Sequence, residues 1–318
     1  MKKINLLGFI IVTVLFTAFT LFAQKKEKED QQKVRTVTIP ISIYTKQELK
    51  ENQAEEFIQA DRIVVKEDKQ EQTILSIKSV TNTTLSLAIL VQDDLTSSFN
   101  LQIAEIAKFI RNLPKGSRVL VAYMRGGGLD IRTKFTDDLE KAAKSLRIVT
   151  GNSAFAPRSP YDSLDDVLKR FDALPNGRRA VLMVSDGLDL SNGVDSSTPG
   201  QSIDLDRATL KAQKRGVAVY GFYSPTQITE NGNSRLILNG QGSLQKISDE
   251  TGGRAFFQGT IAPISFDPFF KDLGILLNRQ LALTYLSTNM KKGYHKVEVY
   301  STNPEVKIEH PKGYYYRK

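Results

Sequence analysis

The rhythm of apolar and polar residues changes three times along this chain. Over residues 36–44 (TVTIPISIY) apolar side chains largely alternate with Thr, Ser and Pro, and many are β-branched, which predicts a half-buried strand. Pro40 inside that run points to a sheet edge, because proline has no N–H to give to a ladder. Residues 62–66 and 72–77 predict two more short strands, joined as a hairpin by the polar turn at 67–71.

After residue 84 the grammar is different. Residues 85–91 are almost continuously apolar, as expected of a strand buried on both faces, and the run stops at Gln92-Asp93-Asp94. Ile103, Ile106, Phe109, Ile110 and Leu113 then share one helical face, which Pro114 and Gly116 terminate. Residues 118–124 predict the next strand, and the glycines at 126–128 turn it into an antiparallel partner over 129–135. Thr136 reads as a helix cap with Asp137 and Asp138 in the first turn, and Ser159-Pro160 opens a further helix. Residues 180–184 form a second uninterrupted apolar strand that ends at Ser185-Asp186-Gly187. Strands at 217–223 and 254–257 and helices at 205–214, 243–251 and 267–279 complete the pattern, with a polar loop over 225–234.

From residue 281 strand patterns return, at 281–285, 296–300, 306–309 and 313–316. Strands alternating with helices predict an open, mostly parallel, doubly wound α/β sheet with helices on both faces over residues 85–280. Neither flanking β segment, 34–84 or 281–318, is long enough to stand alone. The expected solution is that the two pair in one small β-sandwich-like unit, with the α/β unit inserted between them.

The chain has 318 residues, more than one domain usually holds. It begins with Lys2-Lys3 and an apolar run over residues 4–22, ending in Leu21-Phe22-Ala23. Residues 1–23 therefore read as a signal peptide, with an uncleaved membrane anchor through residues 4–22 as the alternative. Residues 24–33 (QKKEKEDQQK) have nothing apolar to bury and read as a polar linker. The expected location is secreted, periplasmic or cell envelope. There is no cysteine, which excludes disulfides, thiol nucleophiles and zinc–thiolate sites, and the only two histidines, His295 and His310, are expected on strand surfaces. The formal charge of +9 is spread along the chain rather than gathered in a patch, so no nucleic-acid partner is expected.

The candidate chemistry sits where the two apolar strands end. Asp94-Leu95-Thr96-Ser97-Ser98 sets one carboxylate and two hydroxyls in one loop, and Asp186 ends the second strand. In open α/β sheets ligands bind at the carboxyl ends of the strands, and hard cations such as Mg²⁺ and Ca²⁺ take oxygen ligands. The bland alternatives are that Thr96 and Ser98 cap the next helix and that Asp186-Gly187 is an ordinary turn.

Three features together resemble von Willebrand factor type A (VWFA) domains: Asp-x-Thr-x-Ser after the first buried strand, Ser159-Pro-Tyr-Asp-Ser-Leu164 at a helix start, and Val184-Ser-Asp-Gly187 after a later strand. The stretch Asp61–Asp68 (DRIVVKED), Glu250-Thr-Gly-Gly253 and a tail with Gly313-Tyr314 are similar to a bacterial exported branch of that family. The resemblance implies a Rossmann-like sheet and a metal-ion-dependent adhesion site at Asp94, Thr96, Ser98 and Asp186, holding Mg²⁺ or Ca²⁺ and receiving an acidic side chain from a protein ligand. It also exposes a departure. The distant threonine of such sites falls at Arg158, whose guanidinium would repel a cation and block the site. Ser159 or Ser153 is then the substitute hydroxyl, and Asp93 is an extra acid beside the first ligand. The chain is thus expected to be a non-enzymatic interaction or adhesion module. A metal-free scaffold of the cell envelope and a hydrolase using the acidic loops are the alternatives, the last without any supporting motif.

Overall fold

A computed structural model describes residues 33–45, 63–80, 83–126, 128–175, 177–230 and 233–316. The leader and most of the polar linker lie outside the described residues. Among the described residues, no helix is long and apolar enough to cross a membrane.

The middle of the chain is a six-stranded sheet. Its strands are β4 (Leu85–Gln92), β5 (Arg118–Arg125), β6 (Gly128–Thr136), β7 (Arg178–Ser185), β8 (Val217–Tyr223) and β9 (Ala255–Phe256), in the order β6-β5-β4-β7-β8-β9. All neighbours are parallel except the β5–β6 hairpin. Burial explains the continuous apolar runs. Leu85, Leu87, Ile89 and Val91 of β4 face one core with helices α1 (Ile103–Arg111), α2 (Leu139–Lys144) and α7 (Asp267–Asn278). Ala88 and Leu90 face a second core with α3 (Pro160–Arg170), α4 (Ile203–Arg215) and α6 (Ser234–Thr251). A short helical turn, α5 (Gln227–Glu230), precedes α6.

Two helix starts differ from the sequence pattern. Asp138, not Thr136, caps α2, accepting the Lys141 N–H at 2.9 Å; the Thr136 hydroxyl instead accepts the Asp138 N–H. Helix α6 begins nine residues before the expected start at residue 243, inside the predicted loop and through Gly240 and Gly242. Tertiary packing explains the glycine at 240: a Cβ there would come within 2.0 Å of the Asp186 carbonyl oxygen. Gly187 is the complementary position, with φ of +72° and a Cβ that would meet the Gly240 carbonyl at 2.3 Å. The helix and the β7 end touch backbone to backbone, which only glycine allows.

The flanking segments do join, as seven antiparallel strands in one sheet. β1 (Arg35–Thr45), β2 (Ile63–Glu67), β3 (Gln70–Ser79), β10 (Gln280–Ser287), β11 (Gly293–Ser301), β12 (Val306–Glu309) and β13 (Gly313–Tyr316) take the order β12-β1-β10-β3-β2-β11-β13. The sheet curves into a half-barrel around its own core. β12 and β13 hold opposite edges, yet only residues 310–312 separate them in sequence. Four residue steps reach at most about 14 Å, whereas the edges of a flat seven-stranded sheet lie roughly 29 Å apart. The sheet therefore curls, enclosing Val37, Ile39, Ile41, Val65, Leu283, Tyr285, Val297 and Val299. β1 is not an edge strand. Pro40 lies outside residues 42–45, the stretch that pairs with β12, so β1 is locally an edge there.

Polar contacts lock the curl. The buried Glu67 carboxylate accepts from Arg35 Nη2 (3.2 Å), the Ser287 hydroxyl (2.9 Å) and the Tyr314 hydroxyl (2.9 Å), tying β1, β10 and β13 to β2. His295 of β11 lies 3.1 Å from the same oxygen and 2.9 Å from Asp68. Both histidines are buried rather than on strand surfaces; His310 accepts the Val299 N–H through Nε2. Burial pushes His310 down to about 4, so it is neutral in that role.

Glu67→Ala leaves Arg35, Ser287 and Tyr314 without their shared acceptor inside the curl. Breaking such a buried pair costs about 3–5 kcal/mol. The expected result is a lower urea midpoint at unchanged slope; a loss below about 1 kcal/mol, the scale of an exposed pair, would show that this contact does not hold the sheet.

Candidate functional site

Two strand ends, β4 and β7, lie side by side because the strands pair in register from Leu85–Arg178 to Val91–Val184. This register brings Asp94 and Asp186 to one corner, both buried, at 5% and 2% exposure. Gln92, the last residue of β4, joins the two loops. Its Nε2 donates to Asp94 Oδ1 at 3.0 Å, and its Oε1 accepts from the Ser185 hydroxyl at 2.5 Å and the Asp186 N–H at 3.3 Å.

Asp186 is held from both sides. Leu188 N–H donates to Oδ1 at 3.0 Å, and the Thr226 hydroxyl donates to Oδ2 at 2.7 Å. Thr96 and Ser98 are joined hydroxyl to hydroxyl at 2.8 Å. Thr96 is buried and Ser98 exposed, and the Thr96 side chain makes no capping bond to the 3-10 turn Ser97–Gln102. Its backbone N–H is bound instead by the Pro225 carbonyl at 3.0 Å.

The other predicted residues lie elsewhere. Asp93 is committed to two arginines: Arg147 grips both its oxygens at 2.7 and 2.9 Å, and Arg125 Nε reaches it at 3.0 Å. Ser159 caps α3 through the Tyr161 N–H. Ser153 opens a 3-10 turn whose cap is Asn152. Arg158 is exposed, and its carbonyl accepts the Leu190 N–H at 3.2 Å. Thr226, Gln92 and Ser185 were not singled out from sequence. The rule that ligands gather at the carboxyl ends of parallel strands pointed to all three, since Gln92 and Ser185 end β4 and β7 and Thr226 follows β8.

The electrostatics of neighbouring acids differ. Asp93 has its two arginines. Among the described residues no ion pair reaches Asp94 or Asp186. Burial raises the Asp94 carboxyl, a rise the Gln92 amide partly offsets and the Asp93 charge adds to. Burial pushes Asp186 up to about 6; the Leu188 N–H and Thr226 hydroxyl pull it down, and the Asp94 charge pushes it up. Buried carboxylates are ordinarily paired with a cation or bound to a metal. An oxygen-only set of two acids and two linked hydroxyls suits a hard divalent cation such as Mg²⁺ or Ca²⁺.

A second group, Glu67, Asp68 and His295, places one ligand atom from each within 4.8 Å of the others. Here Arg35 already supplies positive charge, and the Glu67 oxygen nearest His295 already accepts from Ser287 and Tyr314. The network joins strands through Oε1, while Glu67 Oε2 is buried without a hydrogen-bond partner.

No family model matches the chain and no curated protein matches it. Solved structures do. An aerotolerance-related membrane protein from Bacteroides fragilis aligns at 13% identity and TM-score 0.41 over 61% of this chain and 98% of its own. BatB from Bacteroides thetaiotaomicron aligns at 14% and 0.38 over 59% and 95%. A von Willebrand factor type A protein from Catenulispora acidiphila aligns at 12% and 0.42 over 88% and 73%.

Ionising Asp186 carries a sign that can be measured. Its folded carboxyl titrates near 6, above the usual range near 3.9. Between those values the native state holds more protons than the unfolded chain, so this group's contribution to stability falls as the pH rises through the window and stays low above it. His310 contributes in the opposite sense, losing stability as the pH drops from about 6.5 towards about 4, so the Asp186 part must be read by difference. Asp186→Asn should gain on the parent by on the order of 2 kcal/mol between pH 4 and pH 6.5 in cation-free urea unfolding; a constant difference across that range would refute the assignment.

Helices on both faces, the order β6-β5-β4-β7-β8-β9, and acid-bearing loops at the ends of β4 and β7 give the α/β unit a fold similar to that of von Willebrand factor type A domains.

Proposed function

We propose that this chain is an exported interaction module of the cell envelope. It binds a protein partner at the carboxyl-end face of the six-stranded sheet, using Mg²⁺ or Ca²⁺ held at Asp94, Thr96, Ser98 and Asp186. The observation that supports this reading best is the contrast between adjacent acids: Asp93 is neutralised by Arg147 and Arg125, while the buried Asp94 and Asp186 have no basic partner among the described residues. A bound ion would supply positive charge and an open coordination position for a partner's carboxylate.

The chain's own residues have separable tasks in this scheme. Asp94 brings negative charge at the end of β4, oriented by Gln92. Thr96 and Ser98, already joined, present two hydroxyl oxygens from the following loop. Asp186, held by Leu188 and Thr226, closes the set from β7. The exposed position of Arg158 favours this arrangement over the metal-free scaffold, in which its guanidinium would fill the corner. The donor set also favours binding over catalysis: both histidines of the chain lie in or beside the curled sheet, each with its own partners.

Calorimetric titration of the purified full-length protein with Mg²⁺, Mn²⁺ and Ca²⁺ checks the proposal. The parent should bind at least one of these ions at one site, and Asp94→Ala should abolish the binding. No heat with any ion in the parent, or equal binding in Asp94→Ala, would remove the cation from the mechanism.

A further inference from the structure

The resemblance places a distant threonine at position 158, where this chain has an exposed arginine. A threonine hydroxyl nonetheless reaches the corner, from a different loop. We propose that Thr226 is a positioning residue of the Asp94–Asp186 corner, holding the Asp186 carboxylate in the orientation that a cation requires. The inference rests on the reading of that corner as a cation site.

The argument begins with where Thr226 stands. It follows β8, the strand beside β7, so its loop passes the end of β7. The loop is bound to all three segments that surround the corner. Ser224 N–H donates to the Ser185 carbonyl at 3.0 Å, just before Asp186. The Pro225 carbonyl accepts the Thr96 N–H, and Thr226 forms an antiparallel bridge with Leu95, between Asp94 and Thr96. Gln227 Nε2 donates to the Gly151 carbonyl at 2.9 Å. Thr226 is therefore fixed relative to both acids.

Its hydroxyl has two neighbours, Asp186 Oδ2 at 2.7 Å and the more distant Thr229 hydroxyl at 3.4 Å. The side chain is 1% exposed. The Thr226 N–H is bound by the Thr229 hydroxyl at 2.9 Å, which closes the turn into α5. The Thr226 hydroxyl proton goes to Asp186 Oδ2 at 2.7 Å, while Leu188 N–H takes Oδ1. Both are donors, an arrangement that suits an ionised carboxylate, and the Gln92 side chain favours the charged form as well. Hydrogen-bond partners behind a metal's carboxylate ligand orient it, and their loss typically costs about 10–100-fold in metal affinity.

Two readouts test this. The first is the affinity of the purified full-length protein for Mn²⁺ by calorimetry, in the parent, Thr226→Val and Thr226→Ser. Valine keeps the branched shape and removes the hydroxyl; serine restores it. The expected outcome is a loss of about 10–100-fold in Thr226→Val and recovery in Thr226→Ser. The second readout needs no metal: exchange of the Leu188 amide, which donates to the same carboxylate. It should accelerate in Thr226→Val and return in Thr226→Ser, at unchanged urea midpoint for the serine variant.

The two ways of failing are distinct. If the parent binds no Mn²⁺ but Leu188 exchange follows the hydroxyl, the cation reading is wrong and the positioning of Asp186 stands. If the parent binds Mn²⁺ and Thr226→Val binds it equally, with Leu188 exchange unmoved, the positioning role is overturned. It is also overturned if Thr226→Ser fails to recover either readout, since packing rather than the hydroxyl would then be responsible.

Discussion

Two carboxylates are buried beside each other at the end of a sheet, and the local architecture is arranged around that fact. Asp94 and Asp186 arrive there because β4 and β7 are apolar on both faces and run parallel in register, which carries the acids just beyond their ends to the same edge. Burying ionised groups is unfavourable unless hydrogen bonds or a counter-charge offset it. Gln92 bridges the two loops, and Leu188 and Thr226 bind Asp186 from either side. The contact of Gly187 with Gly240 brings α6 against this same turn. Asp93, beside Asp94 in the chain, solves the same problem with arginines, whereas among the described residues no basic side chain pairs with Asp94 or Asp186.

The curled sheet stands at the opposite end. Both covalent connections between the units meet the amino ends of the parallel strands: β3 runs into the start of β4, and α7 runs into β10 beside Arg178, the first residue of β7. Further contacts lie on that side, where the Ser42 hydroxyl donates to the Leu276 carbonyl and Lys312 N–H to the Glu250 carbonyl near the end of α6. Among the described residues, the curled sheet does not extend over the carboxyl-end face. The N- and C-terminal strands are interleaved in the sheet order and share Glu67 as a common acceptor, so neither segment completes the core without the other.

Much of this was legible in the chain itself. Continuous apolar runs identified β4 and β7, alternation identified β1, and the acids that follow β4 and β7 identified the corner. Local signals failed where the determining contact is distant in sequence. The helix was read as starting at residue 243, yet α6 begins at Ser234 and runs through Gly240, which packs against the Asp186 backbone. Pro40 read as an edge, yet β1 is paired on both sides along part of its length. His295 and His310 read as surface residues, yet both are buried.

Sequence alone determined the classes of strand and the acids at their ends, because burial on one or both faces leaves a periodicity that needs no knowledge of partners. Tertiary structure alone decided which groups face those acids. Arg147 lies 54 residues from Asp93 and Thr226 lies 40 from Asp186, separations at which sequence carries no distance information. Asp93 and Asp94 are adjacent in the chain and belong to different electrostatic environments, because the side chains around them come from segments that only the folded sheet brings together.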